Sequence, residues 1–557
     1  MEKDEEQSAG HGIISRHADL DTEVVSSESS DPEKAPDSDA STTEAAKVDY
    51  EYITGIKLWL CLTSIILVAF LTLLDTSIIV TAIPRITSDF HSLDDVGWYG
   101  SSYLLASSAL QPLTGKMYST FGSKYTFLTF LGIFELGSLL CGVAQYSSML
   151  IIARAVAGLG ASGLTNGCYT IMAAAVPMHK RPALMGIMMA VAQFGVVGGP
   201  LIGGALTQYA SFYINLPIGG LCAVFLLVIK IPDRIKQSDG KKATVLSTLS
   251  SLDLLGFFLF APFAIMFLLA LEWGGSKFAW QSAMIIGLFC GAGGTLIVFG
   301  FWEYRAGDEA MFPYSMLRKT VMWSSCLVNG FIFGCILTSS YYLPIYFQAV
   351  KGVSPSLSGV YVLPGILGQM LMAVVSGVLV GKLGYYLPWM VTSGVVAAIG
   401  GGLISTFTPH TSTARWVGYQ LLAGIGRGMG MAMPIVAIQN ILTPEQIPIG
   451  MSLVAFFQTF GGALFLAFAQ TIFSRSLVDG LKKFAPTVDA QTVITAGASA
   501  IRQVVKPEDI PGVLKAYNLG VNRNFYLAVG ASAGTFLFSW GMGWSSVKKK
   551  KNVTPEA

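Results

Sequence analysis

Apolar residues run through this chain in windows of about 20, the length a helix needs to cross a hydrocarbon core. The windows centre near Val68, Ala106, Ile133, Ala161, Ala192, Cys222, Phe263, Leu288, Phe333, Leu367, Val396, Gly428, Gly462 and Ser532, which predicts fourteen membrane-spanning helices. Trp59, Trp98, Trp273, Trp280, Trp302, Trp389, Trp416 and Trp544 fall near the window ends, as interfacial belts do. The fifth window contains GVVGGPLIGG, Gly195 to Gly204, where five glycines and a proline sit at membrane depth. An interior glycine costs a helix about 1 kcal/mol against alanine and a proline about 3. Close helix contact and a controlled kink are the physical reasons to tolerate them.

Composition agrees with the pattern. The chain is 53% hydrophobic and 12% charged, with mean hydropathy +0.59, against roughly 25% charged residues in a soluble domain. Net charge is +2 but uneven. The first 50 residues carry 14 acids and 4 bases, have too little apolar surface to fold, and are expected to form a disordered acidic tail. No signal peptide is expected before the first span. Lys and Arg orient the spans. With the amino terminus in the cytoplasm, the inner loops hold Lys116, Lys124, Lys180, Arg181, Arg234, Lys236, Lys241, Lys242, Arg305, Arg318, Lys319 and Lys382, and the tail adds Lys548 to Lys551. The short outer loops hold only Arg85, Lys277, Lys351 and Arg415. Both termini are therefore expected inside. The stretch 474–524 is expected outside, as amphipathic helices on the outer surface. All seven cysteines lie in apolar stretches and read as small packing residues.

The chain also echoes itself. GKMYSTFG after the second span has Gly115 and Gly122 where GVLVGKLG after the tenth has Gly377 and Gly384; AGLGASG at Ala157 matches AGIGRGMG at Ala423; Gln193 precedes the glycines of span five as Gln458 precedes Gly461-Gly462 of span thirteen. The offsets, 262, 266 and 265 residues, indicate two homologous six-span halves with spans seven and eight inserted between them. Two parallel halves around a midplane site suit an alternating-access transporter. The expected organisation is an acidic cytoplasmic tail 1–50, an N-terminal half 55–231, a linker with two extra spans 232–320, a C-terminal half 321–545 including the external loop 474–524, and a basic cytoplasmic tail 546–557.

Several stretches resemble the major facilitator superfamily, specifically its 14-span drug:proton antiporter branch. LDTSIIVTAIPRI (Leu74 to Ile86) looks like that branch's first-span signature, GKMYSTFGSK (Gly115 to Lys124) like its cytoplasmic loop motif, ARAVAGLGASG (Ala153 to Gly163) like its fourth-span arginine motif, GVVGGPLIGG like its antiporter motif, and FYINLPIGG (Phe212 to Gly220) like the start of span six. FELGSLLCG (Phe134 to Gly142) and LDLLGFF (Leu252 to Phe258) look most like fungal toxin and secondary-metabolite exporters. The resemblance implies an all-α polytopic protein with the major facilitator fold, two six-helix halves plus two inserted helices. Two departures stand out. The loop motif has Ser119 and Thr120 where relatives have an acid and a base, so only Gly115, Gly122 and Lys124 carry over. The turn before Phe212 lacks the aromatic-Arg-aromatic sequence of relatives and is about four residues short.

A charge at the bilayer centre costs at least ~2.5–3.5 kcal/mol on insertion scales, so such residues face a cavity or a partner. Asp75 in span one reads either as a proton-coupling carboxylate or as a structural hydrogen-bond anchor. Arg154 in span four either tunes that carboxylate or makes an ion pair near a helix end; nothing in the spacing requires it to touch Asp75. Glu135 in span three is the third proton-coupling candidate, with a buried hydrogen-bonded acid as the alternative. Gly195, Gly199, Pro200, Gly203 and Gly204 read as a kinked rocker helix contacting the other half. Asn329, Tyr342, Tyr346, Gln369, Arg427, Phe457 and Gln458 are the substrate-cavity candidates, amides and aromatics suited to a large, mostly apolar ligand.

The expected function is proton-driven export of a toxic organic compound or fungal secondary metabolite by alternating access. Its partners are a small organic substrate, protons and the lipid bilayer; no nucleic acid and no cofactor are expected, and the chain is read as a monomer in the plasma membrane, or in a vacuolar or vesicle membrane. A siderophore–iron transporter of the same superfamily is the rival, and the antiporter motif counts against it. A membrane-embedded enzyme would need a metal or nucleophile constellation, whereas the five histidines lie in the tail or loops.

Overall fold

The computed structural model describes residues 52–90, 95–205, 210–232, 251–275 and 277–548. The expected acidic tail 1–50, residues 549–557 of the expected basic tail, residues 233–250 of the expected linker and residues 206–209 of the short turn before Phe212 lie outside the described residues. Within them the chain is helical, without β-strands. The first half holds α1 (Gly55–Phe90), α2 (Val96–Phe121), α3 (Ser123–Gly142), α4 (Ser147–Ala175), α5 (Arg181–Ala205) and α6 (Asn215–Val228). The inserted pair is α7 (Leu254–Trp273) and α8 (Ala283–Ala306). The second half holds α9 (Thr320–Ile345), α10 (Pro355–Leu383), α11 (Leu387–Ile404), α12 (Thr413–Gly430, resuming as Met433–Ile441), α13 (Ile447–Phe484), α14 (Ala490–Val504) and α15 (Ile510–Ser539). A helix lies at each of the fourteen expected positions. Among the described residues twelve are long and apolar enough to cross a membrane. The exceptions are α2, whose apolar run is broken by Ser, Gly, Gln and Lys, and α6, only 14 residues long.

The internal repeat is visible in the contacts. Small residues let helices approach until backbones touch. In the first half, Gly158 of α4 abuts the backbone of Tyr103, Ala157 abuts Gly137, and Gly160 abuts Phe134. In the second half, Gly424 of α12 abuts Gly365, Ala423 abuts Gly400, and Gly426 abuts Ala397. Adding the repeat offset turns each first-half contact into its second-half counterpart. Polar contacts repeat too: Arg154 Nε donates to the Tyr99 carbonyl at 3.0 Å, and Gln420 Nε2 donates to the Tyr361 carbonyl at 3.1 Å.

The halves meet at the end of the bundle that carries Lys116, Lys180, Arg181 and Lys382. A Cβ on Gly186 of α5 would overlap the Ala373 carbonyl of α10, one on Gly377 would overlap that of Pro182, and one on Gly115 of α2 would lie 2.8 Å from Ile449 Cα of α13. This places the seam on α5 at its first turns, and corrects the expectation for the glycine motif. Gly195 and Gly199 pack on α1 of their own half, against the backbone of Phe70 and Leu74 and against Ser77. Pro200 has no N–H to offer the carbonyl four residues back. That carbonyl, Val196 O, instead accepts from the Ser77 hydroxyl at 2.8 Å, as a proline at membrane depth requires. Gly203 and Gly204 lie in the same helix; the Pro200 side chain is outside the described ones. Gly461 of α13 packs in the same way on Gly330 of α9, so the motif and its echo each fix a first-to-fifth helix contact within one half.

The inserted pair lies over the seam. Trp98 of α2 and Trp273 of α7 stack edge-on at 5.7 Å, while Phe260 and Phe267 of α7 meet Phe456 and Phe460 of α13 at 5.0 and 4.9 Å. Asp253, the one non-glycine residue with positive φ among those described, organises its basic end. Its carboxylate accepts from Gly256 N, Trp302 Nε1 and Met311 N. At the opposite end the stretch expected to form amphipathic helices contains α14, capped by Asp489 and docked through Val493 and Ile501. The cysteines are free; all are buried except Cys290, which is exposed on α8 and is therefore no core packing residue.

Candidate functional site

Asp75 and Arg154 are 0% and 1% exposed and form an ion pair at 2.5 Å. The packing of small residues on α4 brings Arg154 between α1, α2 and α3. There its Nε meets the Tyr99 carbonyl and its guanidinium lies 4.5 Å from the centre of the Tyr103 ring. Asn215, at the first turn of α6, donates to Asp75 Oδ1 at 3.3 Å and to Ser138 Oγ at 2.9 Å. Five helices of one half, α1 to α4 and α6, thus converge around one buried carboxylate–guanidinium pair. The spacing does not require these two residues to touch; in the fold they form an ion pair with each other. Asn215 and Ser138 were not singled out from the sequence, although Asn215 stands in FYINLPIGG, where a buried amide in an apolar run was the available signal.

Glu135 lies on the same face of α3, three residues before Ser138, against Gly219 of α6. Both its carboxyl oxygens are buried without a hydrogen-bond partner among the described residues. It is not the hydrogen-bonded acid of the alternative reading. It is an unpaired acid next to a paired one.

The loop-motif residues have structural positions. Gly122, at φ 85°, makes the break between α2 and α3. Lys124 Nζ donates to the carbonyls of Leu227 and Ile229 at 2.6 and 2.9 Å, where a cation complements a helix C-terminus. Gly115 lies in the seam. Beside it a crevice of about 220 Å³ opens between Tyr118, Ser119 and Thr170 of the first half and Glu445 and Pro448 of the second.

The expected substrate residues are not gathered around one cavity in this conformation. Tyr346 is fully buried with its hydroxyl on the Thr408 carbonyl, and Tyr342 donates to Gln470 Oε1. Asn329 ties α9 to the Val454 carbonyl, and Phe457 packs against the exposed Trp323 on the outside of the bundle. Gln369 lies beneath Gly424 and Gly428, and Gln458 has a buried, unpartnered Oε1. Arg427 donates to Ser339 Oγ at 2.5 Å.

A model of the Major Facilitator Superfamily matches residues 65–466. The chain belongs to the major facilitator superfamily. It is 59% identical over 523 residues to the efflux pump mlcE of Penicillium citrinum, covering 92% of this chain and 95% of that one. It is 57% identical over 512 residues to the efflux pump mokI of Monascus pilosus, covering 90% and 94%, and 55% identical over 508 residues to the MFS-type transporter pigP of Monascus ruber, covering 90% and 89%. The human organic anion transporter MFSD10 shares the fold at TM-score 0.58 and 12% identity, over 87% of this chain and all of that one. The proton:xylose symporter XylE does so at TM-score 0.54 and 14% identity, over 88% and 97%. The superfamily is one of multi-span membrane transporters, and the two-half repeat, the seam and the inserted pair of this chain fit that architecture.

Proposed function

We propose that this transporter exports a toxic organic compound or fungal secondary metabolite in exchange for protons. The direction is supported by relatives that are named efflux pumps and share more than half their residues with this chain. The coupling rests on one observation: Asp75 and Arg154 neutralise each other at membrane depth, at the meeting point of five helices of one half. A proton delivered to Asp75 breaks the charge balance of the pair. Arg154 then loses its partner, and the helices it ties together regain freedom to rock against the other half. Glu135, buried and unpaired alongside, is the second acid on the same proton route. Antiport in the plasma membrane, with both termini in the cytoplasm and the chain acting as a monomer, completes the reading.

The test is expression in a yeast lacking its own pumps, challenged with a panel of toxins and fungal metabolites. The reading expects resistance and lowered accumulation that collapse with a protonophore. Rescue of iron-limited growth by siderophores, without resistance to any toxin, would overturn it in favour of iron uptake. Full proton-driven efflux in Asp75→Asn would remove Asp75 from the coupling step.

A further inference from the structure

The second half contains a buried arginine that no carboxylate neutralises among the described residues. Arg427 is the middle residue of the 29-residue span Thr413–Ile441 and is 8% exposed. Its Nη1 has one hydroxyl partner, Ser339 Oγ. Its Nε is buried with no partner, and its Nη2 edge faces Gly365, which offers no side chain. No carboxylate pairs with it among the described residues. The titratable neighbour is Cys335, whose thiol already meets the Ala528 carbonyl at 3.3 Å and Ser532 Oγ at 3.5 Å. Beside the guanidinium is a void of about 10 Å³, bordered by Ser339, Cys335, Ser532 and Phe525, with room for one water-sized group.

An arginine does not escape this position by losing its proton, because the delocalised guanidinium stays charged in proteins. The first half shows how this fold handles a buried guanidinium: Arg154 has Asp75. Arg427 stands seven residues beyond Gln420, the repeat partner of Arg154, and has no acid in the matching role. Ser339 accepts from Arg427, which leaves its own O–H free to donate toward the same void. A cation and a hydroxyl donor around a one-atom space, with a net positive charge, make a receptor for a single anionic atom.

We propose that Arg427 and Ser339 form a midplane anion site that takes a monovalent anion, either a halide or one oxygen of an organic acid group. The organic source rests on the export reading, since the acid would then belong to the cargo; the halide source does not. The site makes acidic compounds, rather than amines, the cargo class that the second half can hold at the depth where alternating-access transporters bind substrate.

The experiment uses the purified full chain in lipid nanodiscs and follows thermal unfolding. Chloride and benzoate are titrated separately against sulfate, a divalent inorganic anion outside the proposed ligand class, at constant ionic strength. A saturable upward shift of the melting temperature with chloride alone assigns a halide site; one with benzoate, competed by chloride, assigns the cargo's acid group. Either shift must vanish in Arg427→Gln. Ser339→Ala, which keeps the cation, should weaken the apparent affinity roughly fivefold, the worth of one hydrogen bond, and serves where Arg427→Gln does not fold. No saturable shift with either anion, or a shift unchanged in both variants, overturns the proposal. Because the readout is binding, it can fail while proton-driven efflux succeeds, and the reverse.

Discussion

The Asp75–Arg154 pair can be tested by a double-mutant cycle. Asp75→Asn keeps the shape of the side chain and leaves an amide oxygen for Asn215, so the change isolates the lost charge. Arg154 would keep the Tyr99 carbonyl at 3.0 Å and the Tyr103 ring at 4.5 Å, and neither neutralises it. Removing one partner of a buried pair costs about 3–5 kcal/mol because a charge is left behind. Both Arg154 contacts are present before and after the change and offset nothing, so the expected loss is about 3–5 kcal/mol. Arg154→Gln strands the carboxylate and should cost a similar amount. The double variant Asp75→Asn with Arg154→Gln leaves no stranded charge, so its loss should be well below the sum of the two single losses. Equilibrium unfolding in mixed micelles measures all four corners. Losses that simply add, to within ~0.5 kcal/mol, would show that the two residues do not support each other and would refute the description of the site. Efflux supplies the second axis. A stable double variant without proton-driven efflux assigns the pair to coupling, whereas one that retains full efflux makes it scaffold only.

Three further predictions follow from contacts on α5, the seam and α14. Ser77→Ala should orphan the Val196 carbonyl that Pro200 leaves free and cost about 1–3 kcal/mol, without changing which end of the transporter is open; unchanged micelle stability would contradict the bond. Gly186→Val should overlap the Ala373 carbonyl, and overpacking of ~1–3 kcal/mol should speed maleimide labelling of Ser119→Cys in the crevice, measured with Cys290 replaced; slower labelling would place the seam elsewhere. Asp489 accepts from the Thr492 hydroxyl and from its backbone N–H, and these bonds hold its carboxyl below the ordinary aspartate value. A depressed folded value means that the cap contributes above the unfolded pKa and is lost as pH falls through the folded one. Hydrogen exchange over 490–504 should therefore rise only in acid below the usual carboxylate range, and at neutral pH in Asp489→Ala; equal exchange in wild type and variant would exclude the cap.

Much of the architecture is legible in the sequence because membrane helices are specified by length and apolarity, and because a repeat is a pattern of spacing. The glycines at 158, 160, 424 and 426 are visible as an echo before their contacts are known. What spacing does not convey is which neighbour a bare helix face meets. Glycines on α5 serve two contacts, one at Gly186 across the seam and one at Gly195 and Gly199 against α1, and the more conspicuous cluster turned out to be the internal one. Pairing is equally silent. Asp75 and Arg154 are 79 residues apart, and the packing of α4 beside α1 brings them together. Aromatic residues mislead for a related reason: Tyr346 and Phe457 have the composition of a ligand cavity, but a core and a lipid-facing groove use the same side chains.

The two halves preserve backbone contacts more faithfully than charges. Tyr99 and Tyr361 receive equivalent bonds, one from Arg154 and one from Gln420, so the helix junction survives the exchange of a cation for an amide. The cation of the second half has moved two turns deeper, to Arg427, where it is without an acid. A symmetric frame therefore carries an asymmetric electrostatic load: the first half pairs its buried arginine with Asp75, whereas no carboxylate among the described residues pairs with Arg427 in the second. Under the proposed alternating access the rocking frame is shared, while the two charges would respond to different ligands, a proton in the first half and an anion in the second. Coupling between them then needs no direct contact between Asp75 and Arg427. It requires only that each ligand favours a different arrangement of the one seam they share, at Gly186 and Ala373 on one side and Gly115 and Ile449 on the other.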